Sequence, residues 1–534
     1  MAFDEHVSRG MWRTFAARAQ PVVDEWQAMF AQPDHAQEQV LLRILAENRD
    51  SAFGQAHSFA SIKDPSTFAE KVPLHGYEAL RPWIERAQHE HGSVLTCSAP
   101  LFFERTSGNS ARQKNIPYTR AFLSELQGAL TLWLADMYRQ IPEIGQGVGY
   151  WSMSPPMQPP CVSANGIAVG STSDLAYLDG SLLTGLAGTL LIPEFSPSAT
   201  DWCRRTLLAL VSNPDLSFIS VWSPTFLISL LQPLFDTDTA DSRQTFSWLE
   251  SAVPAPRRLA LQRARDHGDC IGLWPRLAAI SCWMDGPSQS YALQLMTRFP
   301  QVRCLPKGLL ATEGVVSVPF GEGAGCPLAI GSHYLEFLAE DGGLRTAQTL
   351  RIGETAQVLL TTGGGLYRYA LGDRVKAVGL TGGTARVEFV GRAAGSCDLV
   401  GEKLDESVVA SVLSAHIDAA DSACLVPESR TLPARYWLLI ATSARLDSAA
   451  LATAVDAALQ QSYHYAHARR MGQLGAVDIR VVSGGADKLA QYLQRAAESA
   501  GIRAGDVKPR VLISQLKTAE ALLALTEVHE CLAS

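Results

Sequence analysis

FERTSGNSARQKNIPYT, from Phe103 to Thr119, is the stretch on which the reading of this chain turns. An apolar run from Ala99 to Phe103 leads into a loop of small and hydroxylated residues that ends at Lys114, with Pro117 beyond it. Thr106, Ser107, Gly108, Asn109 and Ser110 offer hydroxyls and unobstructed backbone N–H groups, and Lys114 adds a positive charge. A polyphosphate needs many donors, no bulky side chain between backbone and anion, and a cation. The GxxxxGK[ST] pattern is absent, so this is not a Walker loop. The plain alternative is a polar surface turn. A Ser/Thr/Gly loop with a downstream lysine points instead to chemistry that joins a carboxylate to AMP.

The rest of the chain bounds that reading. Its 534 residues are too many for a single core, so two or more domains are expected. A net charge of −8 and the lack of a long Lys/Arg run speak against a nucleic-acid surface. The ten cysteines include no C-x-x-C pair, so neither a zinc site nor a disulfide framework is indicated, and reduced thiols are expected. The opening MAFDEHVSRGMWRTF lacks the pattern of a secretory signal. The apolar run LLALVSNPDLSFIS is broken by Asn213, Pro214 and Asp215, short of membrane length. A soluble, cytoplasmic protein is expected.

Periodicity divides the chain into regions. Residues 1 to about 95 read as helical, including VLLRILAEN from Val40 and YEALRPWIERAQ after Pro73. A further helix spans about 118–140, with Leu123, Leu126, Leu130 and Leu134 on one side. GSLLTGLAGTLLIP, from Gly180, reads as a buried helix. SFISVWSP and LAAISCWMDG read as buried strands with an RRLALQRAR helix between them, the alternation of an α/β core with partly parallel strands. Residues 326–392 read as a β-rich subdomain of short runs and Gly-rich turns. Beyond Ala393, helices such as SVVASVLSAHI, AALATAVDAALQQSYHYAHARR and DKLAQYLQRAAESAG alternate with the strands CLVPE, RYWLLIAT and AVDIRVVS. The expected fold class is α/β: a large N-terminal domain, 1–392, with an α/β core and a β-rich subdomain, and a small, mobile C-terminal α+β domain, 393–534.

Three further residues carry candidate chemistry. In KGLLATEGVVSVPF, Glu313 follows Thr312 at the end of an apolar run. Open α/β sheets place ligands at strand ends, and a carboxylate there could hold Mg²⁺ bridging a polyphosphate. A solvated turn glutamate is the bland reading. In GLYRYALGDRVKAVGL, Asp373 could accept both hydroxyls of a ribose, or simply sit in a type I turn. In RAGDVKPR, Lys508 precedes Pro509 and so is not mid-helix; it could bring a charge to a phosphoryl transition state, or be a surface lysine.

Taken in order, and with VPLHGYEALRPWIERA, LWPRLAAISCWMDG and FVGRAAGSCDLVGEKLDE, these motifs resemble one family. The chain is similar to acyl-acid amido synthetases of the auxin-responsive Gretchen-Hagen-three family, bacterial branch, which are related to the acyl-CoA ligase and adenylation-domain superfamily. The resemblance runs from about Asn48 to Arg510. It implies an ATP-dependent ligase requiring Mg²⁺. Such an enzyme turns a carboxylic acid into an acyl-adenylate plus pyrophosphate, then passes the acyl group to an amine, usually an amino acid. It also implies roles for individual residues. Thr106, Ser107, Gly108, Asn109 and Ser110 match the phosphate loop. Glu313 matches the metal- and nucleotide-contacting acid, with Thr312 beside it, and Asp373 the ribose binder. Arg392 closes the large domain before the hinge, and Lys508 matches the lysine that reaches the phosphates during adenylation. The small domain is expected to rotate between half-reactions.

The chain also departs from the pattern. Related enzymes carry an aromatic residue four positions before the acid, where this chain has Leu309; Tyr334 is the substitute candidate for gripping adenine. Asn109, Ala111 and Arg112 replace smaller or more usual loop residues. Ser332 and His333 are the substrate-side candidates, with His333 either orienting a carboxylate, acting on the amine, or packed in the core. His464 and His467 lack metal-ligand spacing. Pocket-side Leu, Ala, Gly and Trp favour an apolar acyl group. Two alternatives stay open: a thiol or hydroxyl acceptor, and a non-catalytic adenylate-binding protein. No membrane partner is expected, and the protein is expected to be a monomer or weak homodimer. Hormone conjugation and natural-product assembly are both open as pathways.

Overall fold

Thr119 starts the helix on which one half of the molecule is assembled. Its hydroxyl accepts the Phe122 N–H at 3.2 Å and donates to the Gly363 carbonyl at 2.8 Å, capping the helix Arg120–Gln140 while tying it to a distant turn. From Ala129 to Met137 every residue of that helix is buried, polar Thr131 and Asp136 included. A helix covered all round belongs inside a core. Asp136 is satisfied there by the Gly321 N–H, Arg139 and Gln140.

The computed structural model describes residues 5–105, 114–152, 160–170, 177, 182–194, 196, 198–237, 239–268, 270–392, 395–400, 402–419, 421–442, 444–483, 485–502 and 504–533. By contacts the chain forms two compact units. The first comprises Met1–Gly147, Pro156–Leu190 and Pro306–Phe389; the second comprises Val148–Pro155, Leu191–Leu305 and Val390–Ser534.

In the first unit the N-terminal region is helical as expected, with Glu5–Ala31, Pro33–Asn48, Pro65–Lys71 and Tyr77–His89 as its main helices. Strands Asn115–Tyr118 and Phe102–Arg105 pair antiparallel on either side of residues 106–113. The β-rich subdomain is a six-stranded sheet in the order Cys326–Pro327, Thr384–Arg392, Tyr369–Thr381, Thr355–Thr361, Tyr334–Ala339, Leu344–Thr346. Burial alternates along the first part of Tyr369–Thr381, as a strand with one covered face requires. Opposite it the register shifts between Gln357 and Leu359, which makes a bulge around Leu371–Asp373. Gly372 carries a φ of +87° there, a conformation glycine adopts without a Cβ penalty.

One expectation fails in this unit. GSLLTGLAGTLLIP forms the 3₁₀ helix Leu182–Thr189 followed by the short strand Leu190–Leu191, rather than a buried α-helix. Leu183, Leu186 and Thr189 are buried while Thr184, Gly185, Ala187 and Gly188 are exposed. Burial every third residue matches the three-residue turn of a 3₁₀ helix, and two glycines weaken the α alternative.

The second unit contains the parallel strands. Val148–Trp151, Leu216–Ser220, Ala279–Ser281 and Arg303–Leu305 pair in that order, all parallel. Their inter-strand helices include Pro224–Phe235 and Arg258–His267. A second sheet joins Ser422–Glu428, Arg435–Ala441 and Asp478–Val481. The expected single run AALATAVDAALQQSYHYAHARR is two helices, Ser448–Leu459 and Tyr463–Arg470. A common hydrophobic core includes Leu227 and Leu231 from the first sheet's helix together with Cys424, Leu439, Leu489 and Leu493 from beyond residue 393. Cys424 is fully buried, and burial pushes its thiol up to about 12. The cysteines among the described residues are free thiols.

A buried ion pair crosses the first unit. Arg368 donates twice to the Glu336 carboxylate, 2.9 Å each, and to the carbonyls of Ala69 and Val72. Arg368 holds this position with a φ of +46°. Burial raises the Glu336 carboxyl, and the Arg368 hydrogen bonds oppose that shift. Removing one partner leaves an uncompensated buried charge. Glu336→Gln is therefore expected to destabilise the protein by about 3 kcal/mol or more in denaturant unfolding.

Candidate active site

Glu313 sits in the turn of the hairpin formed by Leu310–Ala311 and Gly314–Val315. The sequence places it at a strand end, and it is there, but the strand is a two-residue antiparallel hairpin rather than part of the parallel sheet. Two groups converge on its side chain. Lys114 Nζ lies 3.5 Å from Glu313 Oε1 and donates to the Tyr369 hydroxyl at 2.9 Å, while that hydroxyl lies 3.4 Å from the same carboxylate oxygen. Glu313 is buried and Lys114 only partly so. A carboxylate, an ammonium and a phenol thus meet at Lys114.

The walls of this cluster are aromatic. Lys114 Nζ stands 5.7 Å from the ring centres of both Tyr77 and Tyr369, within cation–π reach. The Asn115 N–H donates to the Tyr77 hydroxyl at 2.8 Å, which fixes the residue after Lys114. Burial pushes the Tyr77 phenol up, so it stays a neutral acceptor. The Tyr118 hydroxyl donates to the Thr312 carbonyl at 3.0 Å, so the turn before Glu313 is held from the strand Asn115–Tyr118.

The other candidates are placed as follows. Thr106, Ser107, Gly108, Asn109 and Ser110, with Ala111 and Arg112, lie outside the described residues. Asp373 is fully buried in the bulge, four residues beyond Tyr369 on the same strand, rather than in a type I turn. Ser332 and His333 are fully buried, with the Ser332 hydroxyl on the Glu125 carbonyl at 2.8 Å and His333 Nδ1 2.9 Å from Glu125 Oε2. Tyr334 is buried edge-on against Phe68 at 5.9 Å, and burial raises its phenol. Leu309 is buried as well, its N–H on the Ser317 hydroxyl.

Arg392 and Lys508 belong to the second unit. Lys508 Nζ stands 5.4 Å from the Trp283 ring centre. Trp283 follows the parallel strand Ala279–Ser281, and its N–H donates to the Trp222 carbonyl at 2.8 Å, beyond the neighbouring strand. Ligands of open parallel sheets bind outside these carboxyl ends. Two residues after Lys508, Arg510 lies 3.6 Å from Glu406. Burial raises the Glu406 carboxyl, and Arg510 and then Arg392 pull it back down. Glu406 is thus the group between the Lys508 segment and the end of the long strand Thr384–Arg392.

The GH3 family N-terminal domain matches residues 22–304, the central domain residues 326–392 and the C-terminal domain residues 402–517. The chain belongs to the GH3 family. Jasmonoyl–L-amino acid synthetase JAR6 of Nicotiana attenuata is 23% identical over 426 residues, 70% of this chain and 71% of that protein. Indole-3-acetic acid-amido synthetase GH3.4 of Arabidopsis thaliana is 22% identical over 422 residues, 70% of each. Among solved structures, the AtGH3.15 acyl acid amido synthetase in complex with 2,4-DB superposes with a TM-score of 0.74 at 16% identity, covering 98% of this chain and 97% of that one. A 2-hydroxyisobutyryl-CoA ligase gives a TM-score of 0.50 at 13% identity, covering 96% and 93%. These likenesses establish the fold of this GH3 family member as mixed α/β, in line with the sequence.

Sequence reasoning passed over Tyr369, Tyr77, Tyr118 and Trp283. The even spacing of Tyr369 and Asp373 in YRYALGD was a signal, because residues four apart on a strand share a face. No local pattern flags Tyr77, which reaches Asn115 across 38 residues. Because the Tyr369 hydroxyl joins two charged groups, Tyr369→Phe is expected to cost about 1.5 kcal/mol of unfolding free energy, with a Lys114→Met, Tyr369→Phe double variant losing much less than the sum. Additive losses would remove the link.

Proposed function

We propose that this GH3 protein is an ATP-dependent ligase that activates a carboxylic acid as its acyl-adenylate and joins it to an amine, an amino acid by preference. The observation that supports this most directly is the meeting of Lys114, Tyr369 and the buried Glu313 at the exit of the Ser/Thr/Gly loop, within a family whose named relatives are amido synthetases of jasmonic and indole-3-acetic acids.

In the first half-reaction a carboxylate oxygen of the acid attacks the α-phosphorus of ATP. A new O–P bond forms and the bond to the bridging oxygen breaks, so pyrophosphate leaves with the electron pair. Residues 106–110 donate to the phosphates, and Lys114, held on Tyr369, sets a positive charge at the end of their loop. Glu313 would hold Mg²⁺. One carboxylate suffices for that only together with phosphate oxygens, which is the usual manner of Mg²⁺ binding and fits a turn presenting a single acid. The ion would supply charge neutralisation of the phosphates. Asp373 accepts the ribose hydroxyls. Lys508 stabilises charge on the α-phosphate.

In the second half-reaction the amine nitrogen attacks the activated carbonyl carbon. The C–N bond forms, the bond to the AMP oxygen breaks, and the nitrogen loses a proton. We assign 1–392 to an adenylating domain and 393–534, which carries Lys508, to one that rotates between the two steps with Arg392 at the hinge. The core shared by Leu231 and Leu493 is what such a rotation has to open. Trp222 and Trp283 favour an apolar or aryl acid at the strand ends. Free thiols fit a reducing compartment such as the cytoplasm, and a monomer or weak homodimer is the assembly we assign. Among the described residues no helix is long and apolar enough to cross a membrane.

ATP–pyrophosphate exchange with Mg²⁺ across aryl, indolyl and fatty acids tests the reading. Acid-dependent exchange is the expected result; none with any acid sinks it. Lys508→Ala is expected to slow exchange about 10²-fold while amide formation from preformed acyl-adenylate suffers much less. Equal losses in both steps count against rotation. Asp373→Asn is expected to weaken ATP binding with the melting temperature kept, and unchanged affinity removes Asp373 from the site.

A further inference from the structure

We propose that Glu125 and His333 are a positioning pair for Glu313, an inference that rests on the ligase reading above. The pair is sealed inside the first unit: the His333 side chain is 0% exposed and that of Glu125 2%. His333 therefore touches no solvent-borne substrate, and its part is played through its neighbours.

Glu125 fixes the imidazole. Its Oε2 accepts from His333 Nδ1 at 2.9 Å and from the Gly363 N–H at 3.0 Å, while Oε1 accepts from Arg43 Nη2 at 3.1 Å. A carboxylate is acceptor-only, so Nδ1 carries a ring proton. The ring also stacks on Phe122, with centres 5.4 Å apart and planes 19° apart. Phe122 and Glu125 are three residues apart on one helix, so a single helix face sets both the tilt and the direction of the imidazole.

The edge of that ring lies against the turn carrying Glu313. A Cβ built on Gly314 would meet His333 Cδ2 and Nε2 at 2.9 Å each, so the ring occupies the space a side chain would need. Among the described residues Nε2 has no hydrogen-bond partner. A buried ring nitrogen left so costs stability, and the chain retains it where it backs the residue following Glu313. The same aromatic layer serves the other end of the turn. Tyr118, which holds the Thr312 carbonyl, packs on Phe122 at 4.5 Å. Thr312 is thus held by Tyr118, Glu313 by Lys114 and Tyr369, and Gly314 by His333. Displacing the third support lets the carboxylate move relative to Lys114, and small misplacements of such groups cost large factors in rate.

His333→Asn separates positioning from folding. The shorter amide still reaches Glu125 in place of Nδ1 but leaves space behind Gly314. The expected result is a fall of about tenfold to hundredfold in maximal pyrophosphate exchange, with KM for the acid and the melting temperature near those of the unmodified protein. In a Glu313→Gln background the same change is expected to add less than about twofold, because the group it positions is already lost. Full-rate exchange by His333→Asn, or losses that multiply independently in the double variant, overturns the proposal. A second pair of variants reads the contact without activity. Gly314→Ala is expected to lower the melting temperature, through the ring contact and through the φ of +159° at Gly314, and to lower it less when introduced into a His333→Ala background; an equal loss in both backgrounds overturns the contact. Absence of exchange from the unmodified protein with every acid would sink the ligase reading and the positioning role with it, while the melting pair would still decide the contact.

Discussion

A buried carboxylate cannot stay in a protein interior unless its oxygens are answered, and Glu125 imposes that condition on much of the first unit. Arg43 answers from the helix Pro33–Asn48, His333 from the start of the six-stranded sheet, and the Gly363 N–H from the turn after Thr355–Thr361. Three segments distant in sequence are thereby fixed against the helix Arg120–Gln140. Thr119 adds a fourth tie, from its hydroxyl to the Gly363 carbonyl. A substitution at Glu125 leaves these donors facing one another with nothing to accept them.

The same demand recurs at Glu336 and Arg368, with a different consequence. The bidentate pair holds Arg368 in the left-handed region, and the next residue is Tyr369. The strained backbone and the buried pair together direct the Tyr369 phenol toward Lys114 and Glu313. Two residues further on, the bulge and Gly372 set the buried Asp373 on the same strand. The candidate site is therefore supported by polar groups in the interior, where Glu336, Arg368 and the strand Tyr369–Thr381 hold it.

The second unit is organised by apolar packing instead. Its parallel strands end near Trp222 and Trp283, and Lys508 stands over the second of these rings. Helices from both sides of residue 393 share one core, so the segment bearing Lys508 is anchored by Leu489 and Leu493 as well as by the Arg510–Glu406 pair.

The sequence by itself determined the elements whose cause is local. Helical periodicity marked Arg120–Gln140, short β-like runs between Gly-rich turns marked the strands of residues 326–392, and the apolar runs at Phe218 and Ile280 marked the parallel core, because each pattern follows from local chain chemistry. It also made Glu313 and Asp373 stand out, since charged residues beside apolar runs need a reason. Only the tertiary structure decided what those residues meet. Lys114 reaches Glu313 across 199 positions and Tyr369 across 255, and no spacing rule spans such intervals. The 3₁₀ helix Leu182–Thr189 and the interior places of Tyr334 and His333 were likewise set by neighbours from elsewhere in the chain. Local pattern tells a segment which face to bury; which partner covers that face depends on the free energy of the whole assembled core.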